Sequence, residues 1–237
     1  MINFPLREVY LESVDSTNSY LKRIIKENEL FEGLAVMANV QTSGRGRMGR
    51  SWLSEKGDTL CMSIAVKNEY RDGFTLLASM AVYDALKPFC EDKALQIKWP
   101  NDIISENKKL AGILCERVNE YTVIGVGINV NGKSFAEEIR QKATSIELLS
   151  GKKNDLKDVF RAVKKAFEDV FAKHNFTFTA KAKSEYESLC INMGKAVATE
   201  KFSGIAVGVA DSGALLVNTE DEIVCVSSGE VAVHNIY

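Results

Sequence analysis

Residues 41–52 read Gln-Thr-Ser-Gly-Arg-Gly-Arg-Met-Gly-Arg-Ser-Trp, and their types and spacing can do chemistry. Arg45, Arg47 and Arg50 place three fixed positive charges in a segment without a carboxylate. Gly44, Gly46 and Gly49 alternate with them, which disfavours a helix and lets the backbone approach a ligand. Guanidinium groups are permanently charged forks that match phosphate and carboxylate oxygens. The segment reads as a mobile anion-binding loop. A solvated turn or a short nucleic-acid patch has the same composition.

Lys98-Trp99-Pro100-Asn101-Asp102 puts a cation, an amide and a carboxylate where a strand must stop. Pro100 has a fixed φ and no N–H, so Asn101 and Asp102 are expected to turn away together. Ligands of α/β sheets meet strand ends in this way, although an ordinary Asx-turn reads the same. Lys109 opens a strand containing Gly112, either as a ligand contact or as a solvated edge lysine. Asn129 closes the next strand, facing a ligand or capping a turn. Gly112, Gly125 and Gly127 interrupt these two strands, and glycine weakens a strand unless something must lie close to its backbone. The expectation is a ligand lying across the sheet there.

Other chemistries find no support. Neither a GxxxxGK[ST] loop nor a GxGxxG between strand and helix occurs; residues 44–49 match the glycine spacing, but no helical pattern follows. The only histidines are His174 and His234, so no Ser-His-Asp set can be assembled. The five cysteines, Cys61, Cys90, Cys115, Cys190 and Cys225, are widely spaced, which predicts reduced, buried thiols rather than a zinc site.

The elements that must position these residues follow from periodicity. Asp15-Ser16-Thr17-Asn18 offers N-cap side chains for a short helix with Leu21, Ile24 and Ile25 on one face. Strands are expected at 34–39 and 59–66, on either side of the Gly/Arg loop. A helix is expected over 74–89 with Pro88 ending it, then a strand over 95–99. Residues 110–117 and 121–130 read as a β-hairpin. The apolar spacing of Leu156, Val159, Phe160, Val163, Phe167, Val170 and Phe171 predicts a core helix over 156–173, capped by Asn154 or Asp155. Beyond residue 190, short strands at 196–199, 205–210, 215–218, 223–226 and 231–233 predict a small all-β module. A module of about 45 residues needs to dock on the main domain to be stable. The expected division is 1–189 and 190–237.

With 237 residues, 46% of them hydrophobic, and only 3 prolines, the chain can build a substantial ordered core. Its 30 Lys and Arg against 32 Asp and Glu leave a net charge of −2, which argues against a general nucleic-acid binder. The charged N-terminal residues Arg7, Glu8, Glu12 and Asp15 do not fit a signal peptide, and no apolar run reaches bilayer length, so a soluble cytoplasmic protein is expected.

Taken together and in order, Asp15-Ser-Thr-Asn18, Gln41-x-x-Gly-Arg-Gly-Arg-x-Gly-Arg-x-Trp52, Lys98-Trp-Pro-Asn-Asp102, Lys109-Leu-Ala-Gly-Ile-Leu114 and Gly125-x-Gly-Ile-Asn-Val130 resemble the biotin protein ligases. Ala143-Thr-Ser-Ile146 is a weaker match. The resemblance implies an α/β (α+β) catalytic domain with a mixed sheet, related to class II aminoacyl-tRNA synthetases and lipoate ligases. It implies an SH3-like C-terminal β-barrel for the last residues. Such enzymes make biotinyl-5′-AMP from biotin and ATP with Mg²⁺, then pass biotin to a lysine of a biotin carboxyl carrier domain.

By that resemblance Ser16, Thr17, Asn18, Gln41, Gly44, Arg45, Trp52, Lys109, Gly112, Gly125 and Gly127 would surround biotin or its adenylate. Arg47 would hold the adenylate, Arg50 the ATP phosphates, and Lys98, Asn101 and Asn129 the nucleotide. Arg45, Arg47, Lys109 and Asp102 would be catalytic, with Asp102 near Mg²⁺ or the incoming lysine. Trp52 reads equally as a lid anchor or a core tryptophan. Some repressor-type members carry an arginine near the C-terminus where this chain has His234, which leaves nucleotide contact by that module open. Because the first motif begins at Asp15, no winged-helix domain and no DNA binding are expected. A monomer or homodimer fits, as does no membrane partner. The rival readings are a lipoate or octanoate ligase and a nonenzymatic nucleic-acid module.

Overall fold

The computed structural model describes residues 5–27, 33–67, 73–91, 93–227, 229, 231–233 and 236. In chain order the elements are β1 (Arg7–Val14), α1 (Thr17–Lys26), β2 (Leu34–Gln41), β3 (Thr59–Lys67), α2 (Phe74–Leu86), β4 (Leu95–Lys98), β5 (Asp102–Ser105), β6 (Lys108–Val118), β7 (Tyr121–Asn129), α3 (Ile146–Ser150), α4 (Leu156–Lys173), α5 (Ala180–Leu189), β8 (Ala196–Ala198), β9 (Ser203–Val209), β10 (Leu215–Asn218), β11 (Ile223–Val226) and β12 (Ala232–Val233). The first seven strands form one mixed sheet in the order β1-β2-β3-β7-β6-β5-β4, with β1 parallel to β2 and the other pairs antiparallel. The last five form an antiparallel sheet in the order β11-β10-β9-β8-β12.

Alternation along the central strands sorts side chains onto two faces. Ala35, Met37, Leu60, Met62, Ile64, Ile124, Val126 and Ile128 face one core together with α2 and α4. There Phe74 meets Phe171 edge-on, ring centroids 4.8 Å apart. Helix α2 is buried on nearly every side because α4 covers the face it turns from the sheet. On the other face Leu21 and Ile25 of α1 pack on Val36, Ala65 and Val123. Beyond α1 that same face carries Ser63 and Cys61, Gly125 and Gly127, and Leu114 and Gly112, paired across β3, β7 and β6. Short side chains there leave the sheet open.

The hairpin β6–β7 and helix α4 form where periodicity places them, and Asp155 caps α4 by accepting from Lys157 N at 2.8 Å. Two expectations are corrected. Asp102 does not turn away with Asn101: it opens β5 and pairs with Lys98, so only Trp99, Pro100 and Asn101 make the turn. No cap hydrogen bond comes from the Ser16 side chain to α1; Gln41 Oε1 accepts from Thr17 N at 2.8 Å. Asp15 instead binds Arg23, whose guanidinium holds its carboxyl down at about 2. Cysteines 61, 90 and 190 are buried as expected, whereas Cys225 is exposed. Among the described residues no helix is long and apolar enough to cross a membrane.

His174 follows α4 and is buried, its Nε2 3.3 Å from Glu185 Oε2. Burial pushes its pKa below the ordinary value, with Glu185 pulling the other way. The folded value lies under the unfolded value of about 6.5, so the unfolded chain takes up the proton first. Stability is therefore expected to fall as pH drops below about 6.5. His174→Leu should flatten that loss, read as the unfolding midpoint between about pH 7 and 5.

Candidate active site

A cavity of about 660 Å³ lies on the open face of the large sheet. Its floor follows from strand register. Cys61, Gly127, Gly112, Asp102 and Lys98 are successive partners across β3, β7, β6, β5 and β4, forming one transverse row. The two central glycines make that row a trough, and Asp102 with Lys98 closes one end. Ser16, Thr17, Asn18, Gln41, Arg45, Arg47, Arg50, Trp52, Asn101, Lys109, Gly125 and Asn129 also line the cavity. Of the residues that the resemblance places around biotin and ATP, Gly44 does not. It lines a neighbouring cavity of about 1350 Å³ behind the Gly/Arg loop. A Cβ at Gly44 would sit 2.4 Å from Trp52 O, so glycine there lets the two arms of the loop close.

Backbone bonds give the loop a definite shape: a short hairpin. Gly46 N donates to Arg50 O at 2.7 Å and Trp52 N to Gly44 O at 3.0 Å, around a tip at Arg47–Gly49. Its shape is fixed to the sheet by Arg47, which donates to Asn101 Oδ1 at 2.7 Å and to the Gly229 carbonyl at 3.2 Å. Asn101 Nδ2 donates in turn to Ile113 O at 2.8 Å. The Asn101 side chain thus serves to position Arg47.

The space above the glycines holds this chain's own side chains, which modifies the expectation drawn from them. A Cβ at Gly127 would meet the Trp52 indole at 2.3 Å, and one at Gly125 would meet Asn18 Oδ1 at 2.3 Å. At Gly112 it would meet Lys109 Cε at 3.0 Å and Trp52 at 3.3 Å. Trp52 is therefore neither an ordinary core residue nor a loop-end anchor alone, because its indole occupies the space over both Gly127 and Gly112. Among the described residues its buried Nε1 has no hydrogen-bond partner.

Cations crowd the closed end. Lys109 Nζ lies 2.7 Å from Asp102 Oδ1 and 5.7 Å from the Trp52 ring centroid. The Lys109 backbone is pinned to a neighbouring segment, its N donating to Lys142 O at 2.8 Å and its O accepting from Thr144 N at 2.9 Å. Asn129 Nδ2 donates to Thr144 O at 3.0 Å, securing that segment. Burial lowers the pKa of Lys98, with Asp102 opposing and Lys109, Arg50 and Lys142 adding repulsion. Burial likewise lowers Arg47. An anion entering here relieves repulsion among the cations. Among the described residues no three His, Cys, Asp or Glu side chains converge. Asp102 is a single carboxylate already paired with Lys109. This donor set does not fit a magnesium ion held by the protein itself, which needs several oxygen ligands.

The C-terminal sheet reaches the site in two ways. Gly229, Val231 and Ala232 line the cavity. Trp99, buried, donates from Nε1 to Gly213 O at 2.9 Å and from its backbone N to Asn192 Oδ1 at 2.8 Å. The turn carrying Asn101 is thereby held by the second module. His234 lies outside the described residues. Sequence reasoning passed over Ser63, Glu116, Lys142, Asn192 and Gly229. Ser63 and Asn192 did carry a signal, since each is a polar residue inside an apolar run and buried polar groups need partners.

Residues 10–132 match the model of the Biotin/lipoate A/B protein ligase family, and residues 192–233 that of the Biotin protein ligase C terminal domain. The solved biotin protein ligase from Aquifex aeolicus in complex with biotin and ATP has a TM-score of 0.85 at 33% identity, covering 96% of this chain and 98% of that one. The biotin–[acetyl-CoA-carboxylase] ligase of Mycobacterium tuberculosis is 28% identical over 91% of this chain and 85% of its own length. The bifunctional ligase/repressor BirA of Bacillus subtilis is 32% identical over 94% of this chain and 73% of its own. Fold and site thus define a ligase of the biotin/lipoate class. Within that class the C-terminal module and the relatives are specific: the chain belongs to the biotin protein ligases and is an enzyme of that family.

Proposed function

We propose that this chain binds biotin and ATP, joins them as biotinyl-5′-AMP with release of pyrophosphate, and transfers biotin to one lysine of a biotin carboxyl carrier domain. The observation that carries the reading is the trough itself, with hydrogen-bonding groups of Thr17 and Gln41 at one end and Lys98, Lys109 and Arg47 at the other. The Aquifex aeolicus relative, solved with biotin and ATP, supports it.

In the first step a biotin carboxylate oxygen attacks the α-phosphorus, and the bond to the departing pyrophosphate breaks. Two anions must meet, and at about 4 Å with an effective dielectric of about 20 their repulsion is about 4 kcal/mol. Lys109 and Arg45 offset it at the reacting centre, while Arg50 neutralises the pyrophosphate. No general base is needed because the carboxylate is already ionised. Magnesium would travel on the triphosphate, with Asp102 one ligand at most. In the second step the acceptor amine attacks the acyl carbon and AMP leaves with the bonding electron pair. An acceptor lysine of pKa about 10.4 must shed a proton first, and Asp102 faces the cavity to steer it. Arg47, tied to Asn101 and Gly229, keeps the loop over the anhydride and water away from it.

Biotin-dependent exchange of labelled pyrophosphate into ATP tests the reading. Exchange is expected with biotin and not with lipoate; exchange with lipoate alone, or none with either, overturns it. A pH effect follows from Lys98. Its pKa is lowered, so it loses its charge earlier than an ordinary lysine as pH rises. ATP affinity measured by calorimetry should fall on the alkaline side, and Lys98→Met should bind more weakly with a flatter profile.

A further inference from the structure

A chain of buried and half-buried polar groups runs from the rim of α1 into the cavity, and its protons can be counted. Lys22 Nζ pairs with Glu116 Oε1 at 2.7 Å. Asn18 Nδ2 donates to Glu116 Oε2 at 2.8 Å, which turns Asn18 Oδ1 toward Ser63. Ser63 Oγ lies 2.6 Å from Asn18 Oδ1 and 2.7 Å from Thr17 Oγ1. Thr17 Oγ1 lies 3.0 Å from Gln41 Oε1. These three oxygen–oxygen contacts have only the two hydroxyl protons of Ser63 and Thr17 to share, so one contact has none.

Distance decides which. Two oxygens with no proton between them repel most when closest, so the 3.0 Å contact goes without. Ser63 then donates to Asn18 Oδ1, and Thr17 donates to Ser63 Oγ. Gln41 Oε1 is held by Thr17 N at 2.8 Å. Thr17 Oγ1 and Gln41 Oε1 are left as neighbouring acceptors at the cavity wall. The reverse direction would set the Asn18 carbonyl against the Glu116 carboxylate. Lys22 and Asn18 oppose the effect of burial and keep that carboxylate ionised, with Arg45 adding to it.

We propose that the Lys22–Glu116 ion pair, acting through Asn18 and Ser63, fixes Thr17 Oγ1 and Gln41 Oε1 as a double acceptor, so that the site selects a ligand presenting an N–H donor. Lys22, Glu116, Asn18 and Ser63 are positioning residues for this purpose. The inference rests on the biotin reading, in which the donor is an N–H of the cyclic urea. It places part of the ligand specificity in a charge pair one helical turn along α1 from the cavity-lining Asn18.

A charge swap in the full-length chain separates polarity from packing. Lys22→Glu with Glu116→Lys keeps the ion pair but offers Asn18 a donor in place of an acceptor. The amide then reverses, Ser63 donates to Thr17, and Thr17 donates to Gln41. Biotin affinity by calorimetry is expected to fall about tenfold, the worth of one hydrogen bond, with the unfolding midpoint and ATP affinity unchanged. Lys22→Arg, which keeps the charge, should stay within about twofold of the parent, and Ser63→Ala should show the same about tenfold loss as the swap. Parent-like biotin affinity in the swap overturns the proposal; should the swap fail to fold, parent-like affinity in Ser63→Ala does so. Absence of biotin heat in the parent itself would instead overturn the assigned function.

Discussion

Lys109→Ala is expected to lower biotin-dependent pyrophosphate exchange by about a thousandfold, the equivalent of about 4 kcal/mol of repulsion left unopposed. Three features aim this side chain. Its main chain is clamped on both sides by the segment at Lys142 and Thr144, its stem fills the space over Gly112, and its ammonium lies 2.7 Å from Asp102. The clamp is made by backbone atoms, so the variant should fold with an unfolding midpoint near the parent's. Removing the ammonium also leaves the Asp102 carboxylate without it, which adds repulsion against an incoming anion. The pair Lys109→Ala and Asp102→Asn separates the contributions. A double variant still slow by a large factor assigns the loss to the missing cation, and recovery to parental rates assigns it to the stranded carboxylate. Exchange by the single variant within about threefold of the parent would remove Lys109 from the chemistry.

Arg47→Gly should have the opposite profile: adenylate still forms, but it escapes. The Arg47 guanidinium makes one bond to Asn101 and one to the Gly229 carbonyl, and both disappear together. At about 1.5 kcal/mol for each bond from a charged donor, the loop loses about 3 kcal/mol of hold, roughly a hundredfold in its closed population. A freed anhydride acylates any nearby amine. Incubation with biotin, ATP and a bystander protein should biotinylate its lysines indiscriminately. Acceptor selectivity equal to the parent's would show that the two bonds do not retain the intermediate.

Much of this was legible in the residues, and the gaps have physical causes. Helix α4 and the β6–β7 hairpin each carry a full stripe of buried apolar side chains, so periodicity locates them. Strand β1 went unseen because it is the edge of the sheet and none of its side chains is fully buried. Helix α5 buries only Ala182 and Tyr186, too few for a helical period to show. Strand β5 spans only Asp102–Ser105, directly after a proline turn that reads as a loop. The site followed the same logic. Residues whose type announces a charge or a missing side chain, such as Lys109, Arg47 and Gly112, could be picked out. Those whose role comes from a neighbour across the sheet, such as Glu116 beneath Asn18, could not.

The indole resting along the glycine trough has a further consequence, for molecules designed to block the site. A compound built to fill the empty sheet would have to evict an aromatic side chain first, and its measured potency would carry that penalty. One shaped to pack against the exposed part of the ring would gain a contact instead. Screening against a tryptophan-to-alanine variant at position 52 would sort candidates into these two kinds, since removal of the ring helps the first and harms the second.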